Sequence, residues 1–127
     1  MANTDLVARL VDCWNTGKFE DIDNIFSPNF IRHEPGIEGG TIDRDEYKQT
    51  LRHYRSALAD LHEEVMDVIE QGNKVAYRFR TTGKRDGALV VLEGANILRV
   101  EGGKIVENWV YFDATGLQRR LARVQSA

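Results

Sequence analysis

A chain of 127 residues, 42% hydrophobic and 29% charged with only two prolines, has the makeup of one globular domain over 1–127 and not of a disordered or membrane-embedded chain. Its formal charge of −3, with basic residues scattered among acidic ones, offers no footprint for a phosphate backbone, so no nucleic acid is expected as a partner. Cys13 is the single cysteine, which excludes an internal disulfide and a cysteine-built metal site and fits a small buried apolar residue in a reducing compartment.

The first residues, Met1 to Asp5, lack the basic start and apolar stretch of a signal peptide, and no run approaches membrane-spanning length. A cytoplasmic protein with no membrane partner is expected. Leu6, Val7, Leu10, Val11 and Trp14 recur at helical spacing, with Asn3 or Thr4 as N-cap, and predict an amphipathic helix ending near Gly17. Phe19, Ile22, Ile25 and Phe26 predict a second short helix stopped by Pro28, because the residue before a proline is pushed out of the helical region. Residues 29–33 then read as a short strand, followed by a loop through Gly39-Gly40 that forms one rim.

A third helix is predicted from Asp43. Asp43 and Glu46 have the spacing of a capping box, and Tyr47, Leu51, Tyr54 and Leu58 mark one face. After Asp60 the pattern turns extended: 61–70, 74–83, 88–100 and 104–113 are β-rich runs, and the glycine-bearing turns 71–73 and 101–103 predict hairpins. Leu117, Leu121 and Val124 predict a C-terminal helix over 115–124, with Arg119, Arg120 and Arg123 on a solvated face. Helices first and hairpins afterwards predict an α+β domain: a curved, mostly antiparallel sheet packed by N-terminal helices, with a cavity between the layers.

The order of these elements, together with Cys13-Trp14-Asn15-Thr16-Gly17, Phe30 to Gly36, Asp60-Leu61-His62, Val68 to Ala76 and Gly103 to Asp113, resembles the SnoaL-like polyketide cyclases of the nuclear-transport-factor-two-like superfamily. The resemblance covers nearly the whole chain. It implies a conical sheet closed by helices (a cystatin-like roll), an apolar pocket, a homodimer and, in the cyclases, a cofactor-free aldol ring closure. In those enzymes an aspartate near the end of the final strand is the general acid and base, the position of Asp113, and His33 matches a pocket histidine. Many relatives read Glu-His-Trp where this chain has Glu107-Asn108-Trp109, and the hairpin from Gly83 to Glu93 is shorter than in the cyclases.

Strand alternation puts Trp109, Tyr111 and Asp113 on one face and Asn108, Val110 and Phe112 on the other. If the first face lines the cavity, burial raises the Asp113 pKa and suits it to remove a proton next to a carbonyl. The alternative is a helix cap around Thr115 or Gly116, which lowers it. His33 either orients a substrate carbonyl and relays a proton or serves as a hydrogen-bonded wall histidine. Asn96 is a candidate for a polar substrate group, whereas Arg99 falls on the opposite face by parity. Trp109, Tyr111, Tyr47 and Phe79 are candidate walls for a flat apolar ligand; helical spacing already explains Trp14 and Tyr54 as core.

His33, His53 and His62 show no ligand spacing, so no metal is expected, and no cofactor motif is present. The reading is a cofactor-free acid-base enzyme of cyclase, isomerase or lyase type acting on an apolar carbonyl-containing metabolite. The alternative is a non-catalytic ligand-binding or dimeric interaction module of the same fold.

Overall fold

The computed structural model describes residues 3–35 and 40–112. The predicted C-terminal helix and Asp113 lie outside them, as does most of the predicted rim loop. Three helices, α1 (Asn3–Thr16), α2 (Phe19–Ile25) and α3 (Arg44–Ala57), pack on one side of a curved six-stranded sheet. Its strands are β1 (Phe26–His33), β2 (Thr41–Asp43), β3 (Ala59–Gln71), β4 (Lys74–Arg85), β5 (Ala88–Glu101) and β6 (Lys104–Phe112), in the order β2-β1-β6-β5-β4-β3. All neighbours are antiparallel except β1 and β6.

The helices begin and end where the local chemistry requires. Asp43 accepts a hydrogen bond from the Glu46 N–H and the Glu46 carboxylate accepts one from the Asp43 N–H, a complete capping box. α2 stops earlier than the apolar spacing suggests, because Phe26 is already extended. β1 therefore runs through Pro28. Its pairing with β6 is interrupted between Phe26 and Ile31, so the missing proline N–H costs no ladder bond. β2, three residues between the predicted loop and the predicted third helix that end on its cap residue Asp43, covers the outer edge of β1 at Ile31 to His33. β4 and β5 turn through Asp86 and Gly87, both at positive φ, the geometry of a two-residue hairpin.

The core fills the space between helices and sheet. Leu6, Leu10 and Cys13 of α1, Ile22 and Ile25 of α2 and Leu51 of α3 are all essentially inaccessible. They meet Phe26 and Phe30 of β1, Val75 and Tyr77 of β4, Leu98 of β5 and Ile105 of β6. Phe26 and Phe30 stack with ring centroids 4.0 Å apart, and Tyr47 packs edge-on against both. The cluster fills one end of the layer. A second, smaller cluster of Leu58, Leu61 and Val90 packs with Trp14, Tyr54, Leu92 and Phe112, and these last four also line a cavity.

Candidate functional site

The cavity lies between Trp14 of α1, Tyr47 and Tyr54 of α3 and the concave sheet face. It has about 50 Å³ of internal space and opens to solvent. The sheet contributes Arg32 of β1, Glu63 of β3, Phe79 and Thr81 of β4, Leu92 and Asn96 of β5, and Val110 and Phe112 of β6. Burial sorts this lining by depth. Arg32, Glu63, Tyr47, Phe79, Asn96 and Val110 are buried, whereas Trp14, Tyr54, Thr81, Leu92 and Phe112 are half-buried. Polar groups thus gather at the inner end and the outer end is mostly apolar.

Glu63 is the most perturbed acid at the site. Strand alternation aims it inward between Leu61 and Val65, and only 5% of it is exposed. Burial pushes its carboxyl up from an ordinary 4.5 to about 7, with the Arg32 charge opposing part of the shift. Among the described residues its side chain has no hydrogen-bond partner. Its backbone is held firmly: the Asn15 amide donates to the Glu63 carbonyl at 3.0 Å and accepts from the Glu63 N–H at 2.6 Å.

Arg32 is 8% exposed, and its guanidinium lies 5.2 Å over the Tyr47 ring. Glu34 sits 3.1 Å from its Nε but off the line of the N–H, so the contact is ionic without being a hydrogen bond. The Tyr47 hydroxyl accepts from Trp14 Nε1 at 2.8 Å. An indole nitrogen only donates, which leaves the Tyr47 proton unspent. Deeper in the sheet, Asn108 Nδ2 donates to Asn96 Oδ1 and to the Ile97 carbonyl, and Asn96 Nδ2 donates to the Tyr77 hydroxyl. Asn108, at the position where many relatives carry histidine, is therefore a buried hydrogen-bond donor.

The residues singled out from the sequence are divided by the sheet. Tyr47, Phe79 and Asn96 line the cavity, as do Trp14 and Tyr54, which helical spacing assigned to the core. Trp109 and Tyr111 stand on the opposite sheet face, where Tyr111 is 49% exposed. His33 is on that face too, stacked on Trp109 at 5.3 Å with Nε2 2.6 Å from Glu107. Glu107 also takes Arg99 Nε at 3.0 Å, and its two partners hold its carboxyl below the usual range. The face of β6 turned toward the cavity is that of Asn108, Val110 and Phe112. His53 and His62 are exposed on α3 and β3.

Glu63 and Arg32 were not among the sequence candidates. Their signal is parity: each is an ionisable residue on the inward phase of a strand, two positions from Leu61 or Phe30. Cys13 is buried on the inner side of α1, and burial pushes its thiol up to about 11, which disfavours the thiolate. The described residues hold no group of three or more His, Cys, Asp or Glu able to bind a metal, and no helix among them is long and apolar enough to cross a membrane.

The fold is similar to that of solved structures. IdmH of Streptomyces antibioticus, a proposed polyketide cyclase, superposes with a TM-score of 0.83 at 24% identity, covering 94% of this chain and 97% of its own. A proposed polyketide cyclase from Bacillus cereus reaches 0.84 at 28% identity, covering 92% and 78%. AclR of Streptomyces galilaeus, a proposed hydroxylase, reaches 0.81 at 22% identity, covering 94% and 95%. No curated protein sequence matches the chain. The family profile of the SnoaL-like polyketide cyclases matches residues 4–121, which takes in all three helices and all six strands. The chain belongs to the SnoaL-like polyketide cyclase family.

Proposed function

We propose that the chain is a cofactor-independent acid-base catalyst acting on a small, largely apolar carbonyl compound, with Glu63 as the proton-transfer group. The observation that carries the reading is a buried cavity carboxyl without a hydrogen-bond partner among the described residues, its pKa pushed up to about 7. Such a group is present in both protonation states near neutrality, the condition for efficient proton transfer in either direction. As a carboxylate it takes a proton from the carbon next to a substrate carbonyl. The Tyr47 O–H donates to the carbonyl oxygen as negative charge develops there, and Glu63 returns the proton to another carbon or to a leaving oxygen. The same cycle serves isomerisation, ring closure and elimination.

Membership of a family named for cyclases and the likeness to proposed cyclases support chemistry of this kind. Asp113 enters the proposal through the resemblance alone, as a second acid-base group. We assign no step to His33, whose ring is paired with Glu107 on the far side of the sheet. The homodimer belongs to the proposal too; its support is the pair of exposed apolar side chains Met66 and Tyr111, which line one hollow on the outer sheet face. A lysine at Tyr111 would then yield monomers in sedimentation.

The test of the chemistry is deuterium exchange, followed by NMR, at the carbon next to the carbonyl in a panel of single-ring ketones. The chain should accelerate exchange of at least one of them, with a rate that rises through a midpoint near pH 7 and is lost in Glu63→Gln. Equal rates with and without the carboxyl would overturn the reading.

A further inference from the structure

Among the described residues, Arg32 has an incomplete set of partners at the inner end of the cavity. A guanidinium carries five N–H donors in a planar fork, and burying it is costly unless those donors are met. Among the described residues only its Nε has an acidic neighbour, Glu34. The two terminal nitrogens make no hydrogen bond with any described residue, although the side chain is nine-tenths buried and lines the cavity. Arg99, on the opposite sheet face, shows what a completed pairing looks like in this fold: Nε meets Glu107 at 3.0 Å while Nη1 meets Glu101 at 2.5 Å. Among the described residues Arg32 has the first carboxylate of such a pair and no second.

We propose that the second carboxylate is the ligand's, and that the cavity takes a small ring compound bearing a carboxylate that seats on the terminal nitrogens of Arg32. The fork geometry of a guanidinium matches the two oxygens of a carboxylate and adds orientation to charge. The half-buried Trp14, Tyr54, Leu92 and Phe112 then flank the apolar body toward the mouth.

This anchor deepens the acid-base reading by naming the substrate class, and its test reads binding, so that either can fail alone. Benzoate and its neutral counterpart benzamide are titrated calorimetrically into the full chain at pH 8 and into four variants. Benzoate should bind at least tenfold more tightly than benzamide. Arg32→Gln should lose that tenfold preference, Arg32→Lys should retain part of it, and Arg99→Gln on the other face should leave it unchanged.

Glu63→Gln removes a competing negative charge and should tighten benzoate several-fold while abolishing proton exchange from ketones. Equal affinity for benzoate and benzamide, no benzoate binding at millimolar concentration, or an unchanged preference in either Arg32 variant would overturn the proposal. Should Arg32→Gln fail to fold, Arg32→Lys and Glu63→Gln still decide: the anchor requires weaker benzoate binding in the first and tighter binding in the second.

Discussion

The side-chain amide of Asn15 closes both free backbone hydrogen bonds of Glu63, receiving its N–H at 2.6 Å and donating to its carbonyl at 3.0 Å. β3 is the edge of the sheet, and opposite Thr81 of β4 the Glu63 backbone points outward. Asn15 takes the place that another strand would fill. A single side chain near the end of α1 thereby fixes the residue whose carboxyl faces the cavity and seals the sheet edge beside it.

Asn15→Ala leaves two partly buried backbone groups without partners, so it should lower stability by about 3 kcal/mol in urea unfolding. The same opening admits water beside Glu63. The Glu63 midpoint should then fall from about 7 toward its ordinary 4.5, read by carboxyl-carbon NMR. Asn15→Asp, which keeps the shape but turns a donor into a second acceptor facing the Glu63 carbonyl, should be at least as damaging. A variant with unchanged stability and midpoint would show that α1 does not hold this strand.

Glu63 also makes stability depend on pH in a defined direction. The folded chain holds the Glu63 proton up to about pH 7, whereas the unfolded chain releases it near 4.5. Between those values the folded state binds more protons, so this group makes stability fall as pH rises. The full effect is on the order of 3 kcal/mol. Glu63→Gln removes it: the variant should match the wild type near pH 4 and exceed it at pH 8, as judged by urea midpoints. A wild type whose advantage over the glutamine variant grows with pH would reverse the sign and place Glu63 in a polar, paired setting.

Much of this architecture is legible in the sequence because local chemistry dictates it. The capping box at Asp43 and Glu46 and the glycine turns before Lys74 and Lys104 depend on neighbours a few residues away. β2 carries no such signal, since three residues covering the edge of β1 are defined only by their partner. The candidate site divides the same way. Alternation correctly separates Trp109 and Tyr111 from Val110 and Phe112, but both sets are apolar, and only the packing of the helices decides which set faces them. Arg32 and Glu63 read as solvated charges when taken singly. Their inward phase becomes a signal once Phe30, Leu61 and Val65 are placed in the core.

Gly94 marks the tightest point of the sheet near the cavity. A Cβ there would stand 2.5 Å from the Tyr111 carbonyl oxygen and 2.7 Å from the Phe79 ring. Backbone cannot yield as a flexible side chain does, so Gly94→Ala must displace β6 or push Phe79 into the cavity. The expected cost is about 1–3 kcal/mol in thermal or urea unfolding. Ligand affinity should drop with it, because Phe79 is a cavity wall. Gly72→Ala is the informative contrast: nothing lies within 4 Å of its Cβ, and its cost should come only from the positive φ of 59°.

The buried chain Asn108, Asn96, Tyr77 has a direction that one atom sets. The Ile97 carbonyl can only accept, which assigns Nδ2 of Asn108 to it and to Asn96 Oδ1. Asn96 must then present its own Nδ2 to the Tyr77 oxygen. Asn108→Ala frees Asn96 to reverse its amide, so the three side chains should act as a unit. Tyr77→Phe and Asn108→Ala are each expected to cost about 1–3 kcal/mol by urea unfolding. The double variant should cost less than their sum by at least 0.5 kcal/mol, roughly the smallest coupling that marks contact through a shared network. Strict additivity would mean that the amides are satisfied independently and that Asn96 is not held in place for a ligand from behind.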